Sequence, residues 1–579
     1  SRLLSFVIVM ASLPDDALVL ALAALPAADA LHAGCVQRRW RDLARADMLW
    51  ARHLCTIRFG EIHGSNLPGA RDDAVLELLR AAAGSSGPGV AFASVLSRAR
   101  RATEIRGFVK GLSRWEERRE SRSALREAGA EAIDVLIRVT ESEDLTIAHY
   151  LGQVQRELLN DWACQQWRTL YAQQERLSTL EEGALILSQW GAPEKPVHSV
   201  REVLKHMGDE VHTLVWGANV GPVPVESRSV QESTRVIHGL NQVVFGSFGL
   251  RGDVENYYDP RNSFLAEVLE RRVGIPISLS VVWAAVATRV GLKAALLAHM
   301  PMHVLVRVPC TDGDIFVDTF ESGKVIGGRE QVQMWARLRG LAQWSDDWIR
   351  PGEPLGIYQR MMRNLLSIYK EKATGAWSML SALGIIQQSG ILEGAQLPHH
   401  RLQMMWPVLG RLASTCEVYA RECCEFFKEV AETGQDVRDA ILQMEAIYES
   451  AVRYPFGAAP RLRDSAAVTF KVGQVYRHKN YGYTAVICGW ATRCEMSEDW
   501  IEQMGVDRLP KGRDQPFYNS LVDEGDRPTQ ATFVAEENII LLSAPTKVQH
   551  QEIGKYFKGW DPQSGYIANE DTMFAYPEL

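Results

Sequence analysis

Asn262-Ser-Phe-Leu-Ala-Glu-Val-Leu-Glu-Arg-Arg-Val-Gly-Ile-Pro-Ile-Ser-Leu-Ser-Val-Val-Trp-Ala-Ala-Val-Ala287 is the stretch on which the middle of the chain is built. From Ile277 to Val290 nearly every residue is apolar or small, so the segment is predicted to be a helix buried on all sides. Pro276 suits the first turn, where its missing N–H is not needed, and Gly291 suits a left-handed helix end. The sequence therefore predicts one central helix around which a domain packs.

Two extended runs follow this helix. They read His303-Val-Leu-Val-Arg-Val-Pro and Ile315-Phe-Val-Asp-Thr-Phe, and a turn containing Asp312-Gly313 separates them. Apolar runs joined by a turn of this kind are typical of a β-hairpin. In such a hairpin Asp318 could face Arg307 and form an ordinary cross-strand ion pair.

A buried helix, then a strand opening with His and a strand carrying Asp, resembles the transglutaminase-like superfamily and its papain-like α+β fold. The resemblance is closer to the bacterial invasion-regulator branch, through Leu240-Asn, Phe245-Gly, Phe248-Gly-Leu-Arg-Gly, Tyr257-Tyr-Asp-Pro, Asn262-Ser and Gly274-Ile-Pro-Ile-Ser-Leu. In active members, the resemblance implies, a thiol nucleophile lies at the N-terminus of the buried helix, where the dipole and a neighbouring His lower its pKa. His303 and Asp318 match the two later triad positions.

The nucleophile of such a triad is missing from this sequence. The resemblance puts its position at Pro276, which has no nucleophilic group. Ser278 and Ser280 are nearby, but a serine nucleophile needs a base within hydrogen-bond reach and an oxyanion hole. We therefore predict a recognition scaffold and no enzyme, with Pro276, His303 and Asp318 as a vestigial triad. A hydrolase or transferase that uses one of the two serines with His303 and Asp318 is the alternative.

Length and composition predict a multidomain intracellular protein. The chain has 579 residues, a formal net charge of -8 and 46% hydrophobic residues, and one domain usually takes about 100–200 residues. The nine cysteines are scattered without a C-x-x-C pair, which indicates a reducing compartment, so a cytoplasmic and/or nuclear location is expected. No His/Cys spacing of a zinc site occurs, and we predict neither a metal nor a cofactor.

No membrane span is predicted. The longest apolar run is the central helix, which is shorter than the roughly 18 to 20 residues that a span needs. Ser1-Arg-Leu-Leu-Ser-Phe-Val-Ile-Val could suggest a truncated signal segment, but no small-residue cleavage site follows convincingly. Met10-Ala-Ser-Leu-Pro is a more natural start, so residues 1–9 are treated as an upstream extension.

Residues 10–58 are predicted to form three short amphipathic helices, and Leu18, Leu22 and Leu25 share one helical face. So small a unit cannot bury all of its apolar surface alone, which implies a partner. The segment resembles an F-box, through Leu13-Pro14, Leu25-Pro26, Leu31, Cys35, Arg38-Arg39-Trp40 and Leu49-Trp50. The resemblance implies docking on the Skp adaptor of a cullin ubiquitin ligase, through Leu13, Pro14, Leu18, Leu22, Leu25, Pro26, Leu31 and Trp40. The alternative is a helical cap folded onto the protein's own body.

Charged helical sequence is predicted on both sides of the central domain. Between about residues 98 and 187, arginines alternate with glutamates, which indicates solvated helices and not a phosphate-binding stripe. Trp162, Trp167 and Trp190 are interpreted as core residues of these helices. Further helices are predicted at 199–215, 357–372 and 401–432.

From Phe470 onward the pattern changes to short strands with Gly punctuation, which predicts a small β-barrel. It resembles the YccV/HspQ domain, named for binding hemimethylated DNA. The matched positions are Gly473, His478, Tyr481, Gly482, Gly489, Trp490, Pro516, Phe517, Tyr518, Asp523, Val534 and Glu536-Glu537-Asn538, while Phe533 departs from the usual Tyr.

The charge of this barrel argues against DNA. Residues 470–542 carry eight Lys and Arg against eleven Asp and Glu, a net charge of -3, whereas duplex binding depends on neutralising phosphates. Its aromatic residues suit a protein surface, so we predict substrate-protein binding through His478, Tyr481, Trp490, Phe517 and Tyr518. Packing in the core is the other interpretation of Trp490. DNA binding through residues 470–542 is the alternative function.

Together these features predict a mainly α-helical multidomain chain with α+β parts. The predicted segments are an F-box (10–58), a helical region (96–215), a transglutaminase-like domain (216–345), a second helical region (350–455), a YccV/HspQ-like barrel (468–545) and a C-terminal tail (546–579). The implied function is the substrate-recognition subunit of an SCF-type ubiquitin ligase, which binds adaptor and cullin at one end and proteins for degradation at the other.

Overall fold

The computed structural model describes residues 101–138, 143–173, 180–217, 225–371, 376–392, 460–462 and 467–577, apart from positions 103, 227, 342, 528 and 529, together with residues 439, 442 and 446. The predicted F-box and all of its adaptor-binding residues lie outside this part of the chain, as does the predicted helix at 401–432. The described residues fall into two compact bodies. Residues 112–119 and those from 143 onward form the larger body, and 101–111 with 120–138 form the smaller one.

The described elements follow in chain order. The helices are α1 (Trp115–Ala128), α2 (Ala130–Arg138), α3 (Leu145–Ala172), α4 (Leu180–Gly191), α5 (Val197–Trp216), α6 (Val230–Asn241), α7 (Leu265–Arg271), α8 (Pro276–Arg289), α9 (Arg329–Leu338), α10 (Pro354–Glu371), α11 (Ala376–Leu392), α12 (Glu498–Met504), α13 (Ile553–Tyr556) and α14 (Glu570–Ala575). The strands are β1 (Arg251–Gly252), β2 (Val273–Gly274), β3 (Ala295–Leu296), β4 (Val306–Cys310), β5 (Gly313–Asp318), β6 (Lys324–Gly327), β7 (Val475–His478), β8 (Thr484–Ala491), β9 (Phe517–Val522), β10 (Ala531–Ala535), β11 (Ile539–Leu541), β12 (Phe557–Asp561) and β13 (Gly565–Ala568). None of the described helices is both long and apolar enough to cross a bilayer.

The smaller body is helical. Its buried apolar side chains include Ile105, Val109, Leu125, Ile133 and Leu136. Gly129 separates α1 from α2 with a φ of 54°, a left-handed conformation that glycine adopts without strain. Arg101 lies 3.6 Å from Glu131, so the two ends of this body carry opposite charges in contact.

Helix α3 is the longest described element, with 28 residues and a length of about 42 Å. The Asp144 carboxylate caps its start by accepting from the backbone N–H groups of Thr146 and Ile147. Further along, the indole of Trp167 donates to Gln388 Oε1 at 2.8 Å. The predicted core tryptophans are confirmed, since Trp162, Trp167 and Trp190 are 7%, 0% and 0% exposed.

The predicted central helix is confirmed as α8. It begins at Pro276, its residues up to Ala287 are all buried, and Gly291 follows its end with a φ of 72°. The indole of Trp283 donates to Asn241 Oδ1 at 2.9 Å, which fixes α6 against α8. An all-apolar helix is stable here because other elements cover every side of it.

The predicted hairpin is confirmed as β4 and β5, within a four-stranded antiparallel sheet of order β3-β4-β5-β6. The expected ion pair between Arg307 and Asp318 is wrong. Arg307 lies opposite Phe316, so Asp314 and Asp318 are both its diagonal neighbours, and its guanidinium contacts Asp314 at 2.9 Å. Asp318 instead turns to His303, which precedes β4.

The C-terminal strands form a five-stranded antiparallel sheet of order β10-β9-β8-β7-β11. The edge strands β10 and β11 are consecutive in the chain, joined only by the turn Glu536–Asn538. A flat sheet would place these edges about 19 Å apart, whereas four residue steps reach at most about 14 Å. The sheet must therefore curl strongly towards a barrel, and it encloses a core that contains Tyr476, Trp490 and Tyr518.

Residues 546–577, part of the predicted tail, are folded. They form α13, the antiparallel hairpin β12-β13 and α14. Phe557 and Tyr566 are buried in a core shared with the sheet, and the Tyr566 hydroxyl donates to the Val548 carbonyl at 2.7 Å. Gly473 has a φ of 91°, and a Cβ there would lie 2.1 Å from the Tyr566 carbonyl oxygen. This contact requires glycine and holds the hairpin against the sheet.

The start of the larger body packs directly on its end. Arg118 Nη1 contacts Asp571 Oδ2 at 2.9 Å, and their side chains are only 3% and 9% exposed. The guanidinium of Arg118 also lies 3.8 Å from the centre of the Tyr150 ring. Thr146 Oγ1 donates to the Phe557 carbonyl at 3.1 Å. Arg118 and the start of α3 thus pack against the segment between Phe557 and Asp571.

Candidate functional site

The two later triad positions meet in the central domain. His303 Nε2 lies 2.9 Å from Asp318 Oδ1. The same oxygen accepts from the backbone N–H groups of Phe320 and Glu321 at 3.1 and 3.3 Å. Asp318 is fully buried, whereas the His303 side chain is 13% exposed. The carboxylate therefore orients the imidazole from behind, and the imidazole reaches the surface.

This contact fixes the tautomer of His303. A carboxylate only accepts, so Nε2 carries the proton and donates it to Asp318. Among the described residues Nδ1 has no hydrogen-bond partner, which leaves it free to accept. Trp335 and Phe320 flank the ring, at centroid distances of 5.2 and 6.1 Å. Arg339 Nη2 lies 3.6 Å from the second oxygen of Asp318 and stacks over Trp335, so it closes the far side of the pair.

The surface beside His303 is apolar. Ring contacts run from Phe320 to Tyr257 at 6.3 Å and from Tyr257 to Tyr258 at 5.2 Å. Tyr258 is 63% exposed and Met302, next to His303, is 85% exposed. Met302 also has a φ of 59°, a left-handed backbone that an unbranched non-glycine residue rarely adopts. This row of aromatic side chains reaches the His303 ring through Phe320.

The start of α8 lacks a nucleophile. Pro276 is its first residue, and its carbonyl oxygen lies 3.5 Å from Thr319 Oγ1. Ser278 Oγ donates to the Asn262 carbonyl at 2.6 Å and accepts from the Ile275 N–H at 3.1 Å. It therefore acts as a cap for the helix start.

The second serine is also occupied. Ser280 Oγ lies 2.8 Å from Thr319 Oγ1, and both residues are fully buried. Neither this hydroxyl nor that of Ser278 contacts His303. Geometrically, the pair of His303 and Asp318 can accept a proton from a group in the cleft, but the described residues at the start of α8 do not supply that group.

A second cluster lies on the C-terminal sheet, where the chain turns from β7 to β8. The rings of Tyr481 and Tyr483 are almost parallel, with centroids 6.5 Å apart, and His478 lies 4.8 Å from each. The guanidinium carbon of Arg527 lies 5.3 Å from the Tyr481 ring and 4.8 Å from the Tyr483 ring. Tyr481 is 70% exposed, so the cluster opens to solvent through this residue.

His478 is held in its neutral form. Its Nδ1 accepts from the backbone N–H groups of Asn480 and Tyr481 at 3.1 and 3.2 Å, so the proton resides on Nε2. Burial lowers the pKa of His478, and the nearby charge of Arg527 lowers it further. The imidazole therefore shapes the turn without adding a charge.

The other predicted substrate-binding residues lie in the core. Trp490, Phe517 and Tyr518 are 3%, 1% and 0% exposed. The Tyr518 hydroxyl donates to Glu536 Oε2 at 2.7 Å, and burial raises the pKa of this tyrosine. These three residues support the sheet beneath the surface, while His478 and Tyr481 come together at the turn.

Sequence reasoning missed Tyr483 and Arg527. Tyr483 is two residues from Tyr481 and so shares its side of an extended chain, which was a usable signal. Arg527 is separated from the turn by more than forty residues and comes close only through the pairing of β8 with β9. The strand register could not be predicted in advance.

Comparisons with known proteins find three domains in this chain. Residues 10–56 match the F-box-like family, residues 198–363 match the transglutaminase-like superfamily, and residues 468–564 match the family described as hemimethylated DNA-binding protein YccV like. The chain therefore contains F-box-like, transglutaminase-like and YccV-like domains in this order, as the sequence predicted.

Curated relatives match different lengths of this chain. F-box only protein 21 of Mus musculus is 26% identical over 466 residues, which cover 75% of this chain and 70% of that protein. F-box only protein 21 of Homo sapiens is 25% identical over the same length and the same shares of both chains. The UPF0162 protein of Xylella fastidiosa strain Temecula1 is 37% identical over 135 residues, 22% of this chain and 47% of that protein. No solved structure matches.

Proposed function

We propose that this chain, which carries an F-box-like domain ahead of transglutaminase-like and YccV-like domains, is the substrate-recognition subunit of an SCF-type ubiquitin ligase. The order of the three domains carries the proposal, because it joins an adaptor-binding motif to two larger domains with accessible surfaces. The F-box holds the Skp-type adaptor and, through it, the cullin. The C-terminal domains hold the protein to be ubiquitinated. Such a receptor works in the cytoplasm and/or the nucleus.

In this proposal the chain performs no bond chemistry itself. Proline occupies the nucleophile position of the transglutaminase-like domain, and the hydroxyls of Ser278 and Ser280 are engaged in hydrogen bonds inside the core. Ubiquitin transfer is carried out by the other ligase subunits. The receptor contributes proximity and orientation, because tethering raises the effective concentration of substrate lysines near the transferring subunit.

A triad hydrolase or transferase is the second candidate, and the contact between His303 and Asp318 favours it. The imidazole of His303 is oriented by Asp318 through Nε2, which leaves Nδ1 free to act as the base. The occupied serines disfavour it. A hydrolytic activity of the full chain that disappears in His303→Ala, with the fold intact, would establish this function instead.

Pull-down from cells tests the receptor function. Full-length protein is compared with a Leu13→Ala/Pro14→Ala/Leu18→Ala variant and probed for the Skp adaptor and the cullin. Arg329→Ala/Arg350→Ala, two exposed positions of the central domain, is the matched control. We expect the parent and the control to recover both partners and the F-box variant to lose them. Failure of a folded parent to recover either partner rejects the proposal.

A further inference from the structure

The turn between β7 and β8 brings together cations that no described carboxylate contacts as an ion pair. Among the described residues, Arg477, Lys479 and Arg527 form no ion pair. The Nε of Arg477 donates to the Gly482 carbonyl at 3.1 Å, which draws its stem against the turn and leaves its other donors unused. Arg527 makes ring contacts only. The turn therefore presents several unused N–H donors beside the exposed ring of Tyr481.

The acids next to Arg527 are committed to the backbone. Asp523 Oδ2 accepts from Gln549 N at 2.7 Å, Glu524 Oε1 from Gln551 N at 3.2 Å, and Asp526 Oδ2 from Thr484 N at 2.7 Å. These bonds turn the three carboxylates towards neighbouring loops and fix the loop that carries Arg527. Its guanidinium is therefore held in place before any ligand arrives, which lowers the entropic cost of binding.

A second exposed apolar side chain lies on the strand that pairs with β7. Ile540 lies opposite Arg477 across the pair of β11 and β7, and its side chain is 52% exposed. Asn480 Nδ2 donates to Asn538 Oδ1 at 3.1 Å, which ties the turn to the residues before β11. An exposed aliphatic side chain thus lies opposite Arg477, and the turn that carries Tyr481 is tied to the residues that precede this side chain.

From this arrangement we infer that the β7-β8 turn, comprising Arg477, Lys479, Tyr481, Arg527 and Ile540, binds a short acidic peptide segment that contains an aromatic or aliphatic side chain. The guanidinium of Arg527 takes a carboxylate in a charge-assisted contact, and the ring of Tyr481 covers the apolar side chain. The inference rests on the proposed function, since the segment would belong to a substrate protein.

Charge favours a peptide over a nucleic acid. The three cations lie on a domain whose residues 470–542 have a net charge of -3, so a polyphosphate that extends past the turn would meet repulsion. A peptide with a few carboxylates needs only the local cations. One exposed ring also suits one side chain better than a series of stacked bases.

Fluorescence anisotropy with the full-length protein tests the inference. The probe is a labelled nine-residue peptide with one central Tyr between Glu residues, and the comparison probe has Gln in place of every Glu. We expect the acidic probe to bind and Arg527→Ala and Tyr481→Ala each to weaken it by about tenfold, as loss of a charge-assisted contact or an aromatic anchor does. The matched control Arg493→Ala, exposed in the same domain, should change affinity by less than about twofold.

Several results would overturn the inference. One is failure of the acidic probe to bind, and another is binding of the Gln probe with the same affinity. A third is an Arg527→Ala variant that binds the acidic probe as tightly as the parent. If a twelve-base-pair DNA duplex binds more tightly than the acidic probe, and Arg527→Ala weakens that binding, the turn is a nucleic-acid site. Adaptor recovery is measured on the same preparations, so loss of peptide binding with adaptor retained rejects only this inference, and the reverse result rejects only the ligase function.

Discussion

The cleft at His303 and the turn at His478 use the same side chain in opposite electrostatic settings. In the cleft, a buried carboxylate accepts a hydrogen bond from the Nε2–H group and leaves Nδ1 open as an acceptor. In the turn, two backbone N–H groups occupy Nδ1, and burial with a neighbouring guanidinium lowers the pKa of the histidine. The cleft thus retains the orientation that proton transfer needs, whereas the turn uses its histidine as a neutral support for exposed cations and rings.

The difference also separates an interior arrangement from a surface one. Asp318 is fully buried, so its removal disturbs the fold, whereas Tyr481 is 70% exposed, so its removal changes only what the surface offers. The residue expected to matter for stability and the residue proposed for binding therefore lie in different domains of the same chain.

The largest effect is expected from Asp318→Ala. It leaves three N–H donors without their acceptor, from His303, Phe320 and Glu321. We expect the free energy of local unfolding to fall by about 3 kcal/mol, measured as hydrogen exchange of residues 303–327. Asp314→Ala, which removes a partly exposed partner of Arg307, should lower it by less than about 1 kcal/mol. Equal effects of the two variants would show that the buried carboxylate does not hold the cleft together.

The second largest effect is expected when a nucleophile is placed at the start of α8. Pro276→Cys places a thiol at the start of α8, where the helix dipole and His303 should lower its pKa. We expect iodoacetamide to alkylate it about tenfold or more faster than Cys310, whose pKa burial raises. Adding His303→Ala should remove most of this advantage. An alkylation rate indifferent to His303 would mean that the histidine does not face the helix start.

Acid should weaken the C-terminal domain. Burial lowers the pKa of His149, His478 and His550, so between their folded values and the ordinary value near 6.5 the unfolded chain binds more protons. Stability from these groups is therefore complete above about pH 6.5 and is lost as the pH falls below it. The free energy of opening of residues 475–491, measured by hydrogen exchange, should be lower at pH 5.5 than at pH 7.5. His149→Gln should reduce this difference, and a difference unchanged by it would point to other groups.

The smallest effect is expected from Tyr481→Ala on stability. Its ring is mostly exposed, so the free energy of unfolding should change by less than about 0.5 kcal/mol. Thermal unfolding of the parent, of Tyr481→Ala and of the control Arg493→Ala measures this change in stability. A large loss of stability would make Tyr481 part of the core and remove the contrast with the cleft.

The sequence predicted features that depend on local pattern. The apolar run from Ile277 to Val290, with Pro276 and Gly291 at its ends, predicted α8 within a residue or two of its bounds. The two apolar runs around Asp312-Gly313 likewise predicted the hairpin, although β4 begins three residues after His303.

Features that depend on long-range pairing were not predictable in this way. Arg307 is diagonal to both Asp314 and Asp318 and pairs with Asp314. Which of the two acids it contacts depends on the twist of the sheet and on the other donors that Asp318 accepts from. The folded segment after residue 546 has strands of only five and four residues, too short for a clear alternation, and its core partners lie far along the chain. Trp490, Phe517 and Tyr518 have the composition of a binding surface, yet the curl of the sheet encloses Trp490 and Tyr518, and Phe517 is buried on the other face beside Ile501 of α12.

The contact between Arg118 and Asp571 bears on how the protein is made. These residues are 453 positions apart, and their charges are buried against each other. A ribosome releases Arg118 and α3 long before it reaches Asp571, so these early helices wait with their C-terminal contacts unmade. The larger body can be completed only after Asp571 has left the ribosome. A stop codon before Asp571 would therefore affect the first helices of this body as much as the last.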